Sequence, residues 1–84
     1  MNIAFRGSFA NDLGAIRDKS LLKRIKAVIE VIEAADSLGQ VPNVKRLKGE
    51  IGYYRIRLGD YRIGLVVGGS QVVFVRVLHR RDIY

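Results

Sequence analysis

The side chains equipped to act on another molecule fall into two short stretches. In the first, Arg55, Arg57 and Arg62 stand around the dipeptide Gly59-Asp60. The second closes the sequence as His79-Arg80-Arg81-Asp82-Ile83-Tyr84. Guanidinium groups are permanent cations whose planar forks match phosphate oxygens. Histidine is the side chain that ordinarily titrates near neutrality, which makes His79 the first candidate for moving a proton. A tyrosine can donate a hydrogen bond or stack on an unpaired base. These residue types suit recognition of a polyanion and stabilisation of charge upon it.

The elements around the arginines would have to bring them together. Tyr54-Arg55-Ile56-Arg57-Leu58 and Tyr61-Arg62-Ile63 alternate strictly, and Gly59-Asp60 lies between them. Alternation predicts two strands, each with one apolar face, and Gly-Asp predicts a tight hairpin turn. With two residues in the turn, Leu58 faces Tyr61, Arg57 faces Arg62, Ile56 faces Ile63 and Arg55 faces Gly64. Tyr54, Ile56, Leu58, Tyr61, Ile63 and Leu65 then share one side. Tyr53, Arg55, Arg57, Arg62 and Gly64 share the other. Two like charges directly opposite each other disfavour the hairpin by up to roughly 1 kcal/mol. A bound polyanion would reverse that sign, and Gly64 leaves room for one.

Composition narrows the partners. The chain has 84 residues, a hydrophobic share of 49% and a net charge of +7. That is the size of one domain with a small core, taken here as residues 1–84. The charge points to nucleic acid, an anionic surface or an acidic protein. No apolar stretch reaches the roughly 20 residues of a membrane span and no secretory pattern opens the chain, so a cytoplasmic location is expected. Without cysteine there is neither a disulfide framework nor a Cys-based metal site, and a lone histidine makes a zinc site improbable. No cofactor is expected.

Along the chain, Asn2 to Arg6 reads as a first strand. Ser8 is the expected N-cap of a helix carrying Phe9, Leu13 and Ile16, with Gly14 weakening it. Asp18-Lys19-Ser20 makes a joint. From Leu21, apolar residues at Leu22, Ile25, Ile29 and Ile32, widened by Leu21 and Val28, predict a helix that packs on a sheet and stops by Gly39. Gln40 to Glu50 reads as a loop or turn carrying Lys45, Arg46 and Lys48. After the hairpin, a turn within Gly68-Gly69-Ser70 leads to a last strand from Val72 to Leu78. The fold class is α+β: a strand, two helices, then a three-strand antiparallel meander, with the helices on one face of the sheet. A two-residue turn at Gly69-Ser70 puts Val77 opposite Arg62 and sends Arg76 toward the core. A three-residue turn puts Arg76 opposite Arg62, and is the expectation for that reason.

Leu47-Lys48-Gly49, Gly59-Asp60-Tyr61-Arg62 and His79-Arg80 closing with Asp82-Ile83-Tyr84 resemble, jointly and over essentially the whole chain, the RelE branch of the RelE/ParE toxin superfamily. The resemblance implies a toxin of a toxin–antitoxin pair. RelE-like members cut messenger RNA in the ribosomal A site without a metal, and an antitoxin with extended, helical segments wraps and silences them. Operator DNA is met only through the antitoxin complex. Arg55, Arg57, Arg62, Arg80 and Tyr84 match the family's catalytic positions, and His79 is added here as a candidate for proton transfer. Lys45, Lys48, Arg76 and Arg81 are candidates for RNA contact. An acidic antitoxin suits the surplus positive charge.

Metal-free RNA cleavage uses the 2′-hydroxyl on the neighbouring phosphate. It needs a proton acceptor there, cations for the phosphorane and a donor for the leaving 5′-oxygen. Arginines suit the second task and not the first, because guanidinium stays protonated. The best-known family pattern has lysines where Arg55 and Arg57 stand, so the proton falls to His79 or Tyr84. Asp60 reads as a turn residue and Glu50 as surface. The alternative function is a ParE-like toxin that inhibits DNA gyrase by binding, with no chemistry of its own.

Overall fold

The computed structural model describes residues 1–49 and 51–83, so the readings placed on Glu50 and Tyr84 lie outside it. The order is β1 (Asn2–Phe5), α1 (Gly7–Ala15), α2 (Lys19–Ala34), β2 (Val44–Arg46), β3 (Tyr53–Leu58), β4 (Tyr61–Gly68) and β5 (Gln71–His79). Short 3-10 turns follow α2 at Leu38–Gln40 and close the described chain at Arg80–Asp82. The strands form one sheet in the order β1-β5-β4-β3-β2. β1 runs parallel to β5, and the other neighbours are antiparallel.

Both helices cover one face of this α+β sheet. Phe9 of α1 and Leu21, Ile25 and Ile32 of α2 are buried against Ile56, Ile63, Leu65, Val72, Phe74 and Val77 of the strands. The α2 stripe begins at Leu21, with Leu22 only half-buried. That helix starts two residues earlier than expected because the Asp18 carboxylate caps it, accepting from the Leu21 N–H at 3.1 Å. It stops before Gly39 as expected, at Ala34, but Gly39 lies in the following 3-10 turn rather than terminating the helix.

Both hairpin turns hold two residues. Gly59 and Gly69 have φ of +59° and +60°. Positive φ at the first turn position alone is the type II′ geometry, which matches the twist of the flanking strands and favours glycine there. Leu58 pairs with Tyr61, Arg57 with Arg62, Ile56 with Ile63 and Arg55 with Gly64, as the alternation predicts. The sequence reading missed β2. Its three residues lie inside the expected loop and pair antiparallel with β3, Lys45 falling opposite Arg55.

Neither expected register of the last strand is found. The Gly69-Ser70 turn is two residues long, with Gly68 opposite Gln71 and Leu65 opposite Phe74. A bulge then intervenes between Leu65 and Gly64, leaving Val75 without a partner and setting Gly64 against Arg76 and Arg62 against Leu78. One extra residue flips the rest of the strand. Val77 thereby enters the core and Arg76 leaves it.

α1 holds that bulge. Ser8 is not the N-cap, which is Arg6 without a side-chain bond. The Ser8 hydroxyl instead donates to the Val75 carbonyl at 2.6 Å. One turn later, Asp12 accepts the Val77 N–H at 3.0 Å and takes Arg76 Nε and Nη2 at 2.8 and 3.0 Å. The helix thus satisfies backbone groups on the stretch of β5 beyond its pairing with β1.

Burial tends to raise the Asp12 pKa, but the bonds from Arg76 and Val77 and the Arg76 charge outweigh it and hold the carboxyl below its ordinary value. A depressed carboxylate stabilises above the unfolded pKa, about 3.9, and loses that contribution as pH falls through the folded value. Asp12→Ala should therefore lower stability at pH 7 by about 1–2 kcal/mol, the worth of one backbone and one charged hydrogen bond less solvent screening. The gap from wild type should narrow below about pH 4, as read by urea unfolding.

Candidate functional site

The outward side of the hairpin gathers four of the expected cations. Arg57 and Arg62 face each other across β3 and β4, and Lys45 and Arg55 face each other across β2 and β3. Next in the second row comes Gly64, and beyond it Arg76. Lys45, Arg55, Arg57 and Arg62 line an open concavity of about 460 Å³ together with Asn43 and Val44. The like charges stand where β-pairing alone would disfavour them.

The arginines are not equally free. Arg62 folds over the hairpin turn, its Nη1 donating to the carbonyls of Gly59 and Tyr61, each at 2.8 Å. Its fork is thus set in place before any ligand arrives. Among the described residues neither Arg55 nor Arg57 donates a side-chain hydrogen bond. Asn43 was not singled out by the sequence reading. It has φ of +64° and its carbonyl accepts the Arg57 N–H at 3.1 Å, which extends the β2 side of the concavity. The dipeptide Pro42-Asn43 is the available signal, since asparagine tolerates left-handed backbone better than most residues.

Arg80 approaches from the carboxyl-terminal side of the same turn. Its N–H donates to the Asp60 carbonyl at 2.7 Å, and its Nε lies 3.7 Å from Asp60 Oδ1. Arg24 of α2 also reaches Gly59: a Cβ built there would lie 3.4 Å from its terminal nitrogens. The turn is therefore a junction of three arginines, of which Arg24 was not foreseen.

Other expected members are elsewhere. Arg76 faces outward but is held by Asp12 at the sheet edge. Lys48 lines a separate hollow with Arg46, Leu47, Gly49 and Ile51. His79 is opposite Tyr61, whose ring packs toward the core, so it lies on the helix side of the sheet. Their rings meet edge to face at 5.3 Å. Arg81 shares a hollow with His79. The expectation that His79 joins the hairpin arginines is corrected by the alternation of strand side chains between faces.

The family model described as "ParE toxin of type II toxin-antitoxin system, parDE" matches residues 3–84. The chain is 42% identical over 85 residues to Toxin RelE3 of Methanocaldococcus jannaschii, spanning 100% of this chain and 96% of that protein. A crystal structure of a RelB–RelE antitoxin–toxin complex from Methanococcus jannaschii superposes with a TM-score of 0.86 at 42% identity, covering 96% of this chain and 94% of that one. An archaeal RelE–RelB complex from Pyrococcus horikoshii gives a TM-score of 0.76 at 20% identity, covering 94% and 93%, which is a likeness of fold.

Gly64 tests whether the concavity continues toward Arg76. A Cβ there meets nothing within 4 Å. Gly64→Val should keep or raise the melting temperature, because a β-branched residue suits a strand interior better than glycine by about 0.5–1 kcal/mol. The same side chain should weaken binding of a single-stranded oligonucleotide by about 1 kcal/mol, measured by fluorescence anisotropy, by crowding the Arg55 row.

Proposed function

This chain belongs to the ParE toxin family of type II toxin–antitoxin systems, and we propose that it is a RelE-like toxin whose outward sheet face cleaves messenger RNA in the ribosomal A site. The observation that carries this reading is the concavity lined by Lys45, Arg55, Arg57 and Arg62, with the Arg62 fork already fixed over the turn. Four cations on one open face suit a phosphate backbone.

In the proposed reaction the 2′-oxygen attacks the adjacent phosphorus and gives up its proton. The bond from phosphorus to the 5′-oxygen breaks, the leaving oxygen takes a proton, and a 2′,3′-cyclic phosphate remains. Arg57 and Arg62 hold the non-bridging oxygens as negative charge builds, which needs no rearrangement of Arg62. Arg55 and Lys45 bind flanking phosphates, and Arg80 adds charge from the edge of the turn. The guanidinium groups and the Asn43 amide lining the concavity are poor proton acceptors. Proton transfer is therefore assigned to the Tyr84 phenol or to groups supplied by the ribosome, which also positions the substrate.

The proposed partner is an acidic RelB-type antitoxin, supported by the net charge of +7 and by the RelB–RelE complexes of the relatives. Contact with operator DNA would be made through that complex. Among the described residues no helix is long and apolar enough to cross a membrane.

The match to a ParE model favours a second reading, inhibition of DNA gyrase by binding. Mapping RNA 5′ ends after induction, beside a gyrase supercoiling assay, separates the two. New breaks inside coding sequence with intact supercoiling are expected, and lost supercoiling with intact messages would overturn the nuclease.

Arg57→Ala and Arg62→Ala should each lower single-turnover cleavage on programmed ribosomes by a factor of about 10²–10³, the usual worth of one transition-state donor. Neither change should greatly lower the melting temperature. Tyr84→Phe asks a separate question in the same assay. Retained activity would mean that this ring stacks, and a loss of about 10²–10⁴ would mean that its hydroxyl handles the proton.

A further inference from the structure

His79 is the last residue of β5, and its Nδ1 accepts the Arg81 N–H at 3.2 Å. It is thereby the N-cap of the 3-10 turn Arg80–Asp82. A ring nitrogen that accepts carries no proton, so the capping form is the neutral imidazole protonated at Nε2. The capped turn carries Arg80, whose backbone and side chain meet Asp60. The preceding residue, Gly59, supplies a carbonyl that fixes Arg62. His79 is thus joined to the outward face through the backbone while its ring stays on the other side of the sheet.

The groups around the ring are Tyr61 of β4, Asp12 of α1, Arg17 and Asp18 of the joint before α2, and Arg81 and Asp82 of the terminal turn. Asp12 is engaged by Arg76, and among the described residues no carboxylate pairs with the imidazole.

We propose that neutral His79 is a positioning residue, capping the terminal turn to hold Arg80 against the Gly59-Asp60 turn, and that its protonation releases this hold. The proposal rests on the nuclease reading of the outward face. Protonation places a hydrogen on Nδ1, so that two N–H groups confront one another and the cap is lost. Cleavage therefore falls as acid protonates the imidazole. Asparagine reproduces the cap at all pH values, because its Oδ1 stands where Nδ1 does. Glutamine places its oxygen near the position of Nε2, too far out to cap.

The test compares the full chain with His79→Asn and His79→Gln, by cleavage on programmed ribosomes and by hydrogen-exchange protection of the Arg81 amide, between about pH 5.5 and about pH 8. Near pH 8, His79→Asn should cleave within about threefold of wild type and His79→Gln about tenfold more slowly, as expected for a lost cap. At the acid end, wild type should lose about tenfold in rate together with Arg81 protection, while His79→Asn keeps both. An inactive His79→Asn whose Arg81 amide is still protected would show that the imidazole itself moves a proton, overturning the proposal while the nuclease reading stands. Wild-type activity that outlasts Arg81 protection in acid would overturn it without recourse to any variant. A wild type that cuts no RNA would instead bring down the nuclease reading and this proposal with it.

Discussion

The arrangement of both faces depends on the extra residue in β5. Without the bulge at Val75, the two-residue turn would drive Arg76 and Leu78 toward the helices and put Val77 and His79 outside. Among the described residues the buried core is all apolar, so a guanidinium there would find no polar partner. With the bulge, Val77 is buried and Arg76 finds Asp12. The disruption is confined to one residue and its carbonyl is taken by Ser8. Ser8 and Asp12, one helical turn apart, therefore contribute to strand register as much as to helix packing.

The same device divides chemistry between the two sides of the sheet. β3 and β4 carry fixed cations outward because their alternation runs unbroken through the hairpin. β5 changes phase halfway, so its carboxyl-terminal half delivers an imidazole inward, and His79 meets the outward face only through the backbone. That link runs through the Gly59-Asp60 turn, where Arg62, Arg80 and the reach of Arg24 converge. A turn loaded in this way is both the tightest bend of the hairpin and the contact between the cationic face and the terminal segment.

The hairpin and the helix-on-sheet architecture were legible because their signals are periodic and local. Strict alternation fixes which side chains share a face, and Leu21, Ile25 and Ile32 leave little choice about the inward side of α2. Features set by distant partners were not legible. β2 has three residues and exists because β3 offers it an edge. Ser8 looks like an N-cap, but the helix begins one residue before it and its hydroxyl donates to the Val75 carbonyl. Val75 itself carries no local mark, and the glycine at the irregularity, Gly64, stands on the opposite strand. The bulge's trace in the sequence is a conflict between a two-residue turn at Gly69-Ser70 and an arginine at an inward position. Conflicts of that kind are themselves a signal that a strand contains an extra residue.

The nuclease reading and the family's ParE model are compatible because the outward side chains lie outside the buried core. Lys45, Arg55, Arg57 and Arg62 line the face opposite the helices, so their identities can change with little effect on the fold. Likeness of fold at 20% identity, as with the Pyrococcus horikoshii protein, is accordingly silent about activity. What speaks for an anionic ligand is the cost of Arg57 opposite Arg62. Two like charges held face to face disfavour the hairpin unless something anionic occupies the space between them. One of the two is tied to backbone carbonyls and the other has no side-chain partner among the described residues, an asymmetry suited to a ligand that is first seated and then gripped. Under the proposed nuclease reading, the phosphate being cleaved asks for that division between a preset donor and an adaptable one.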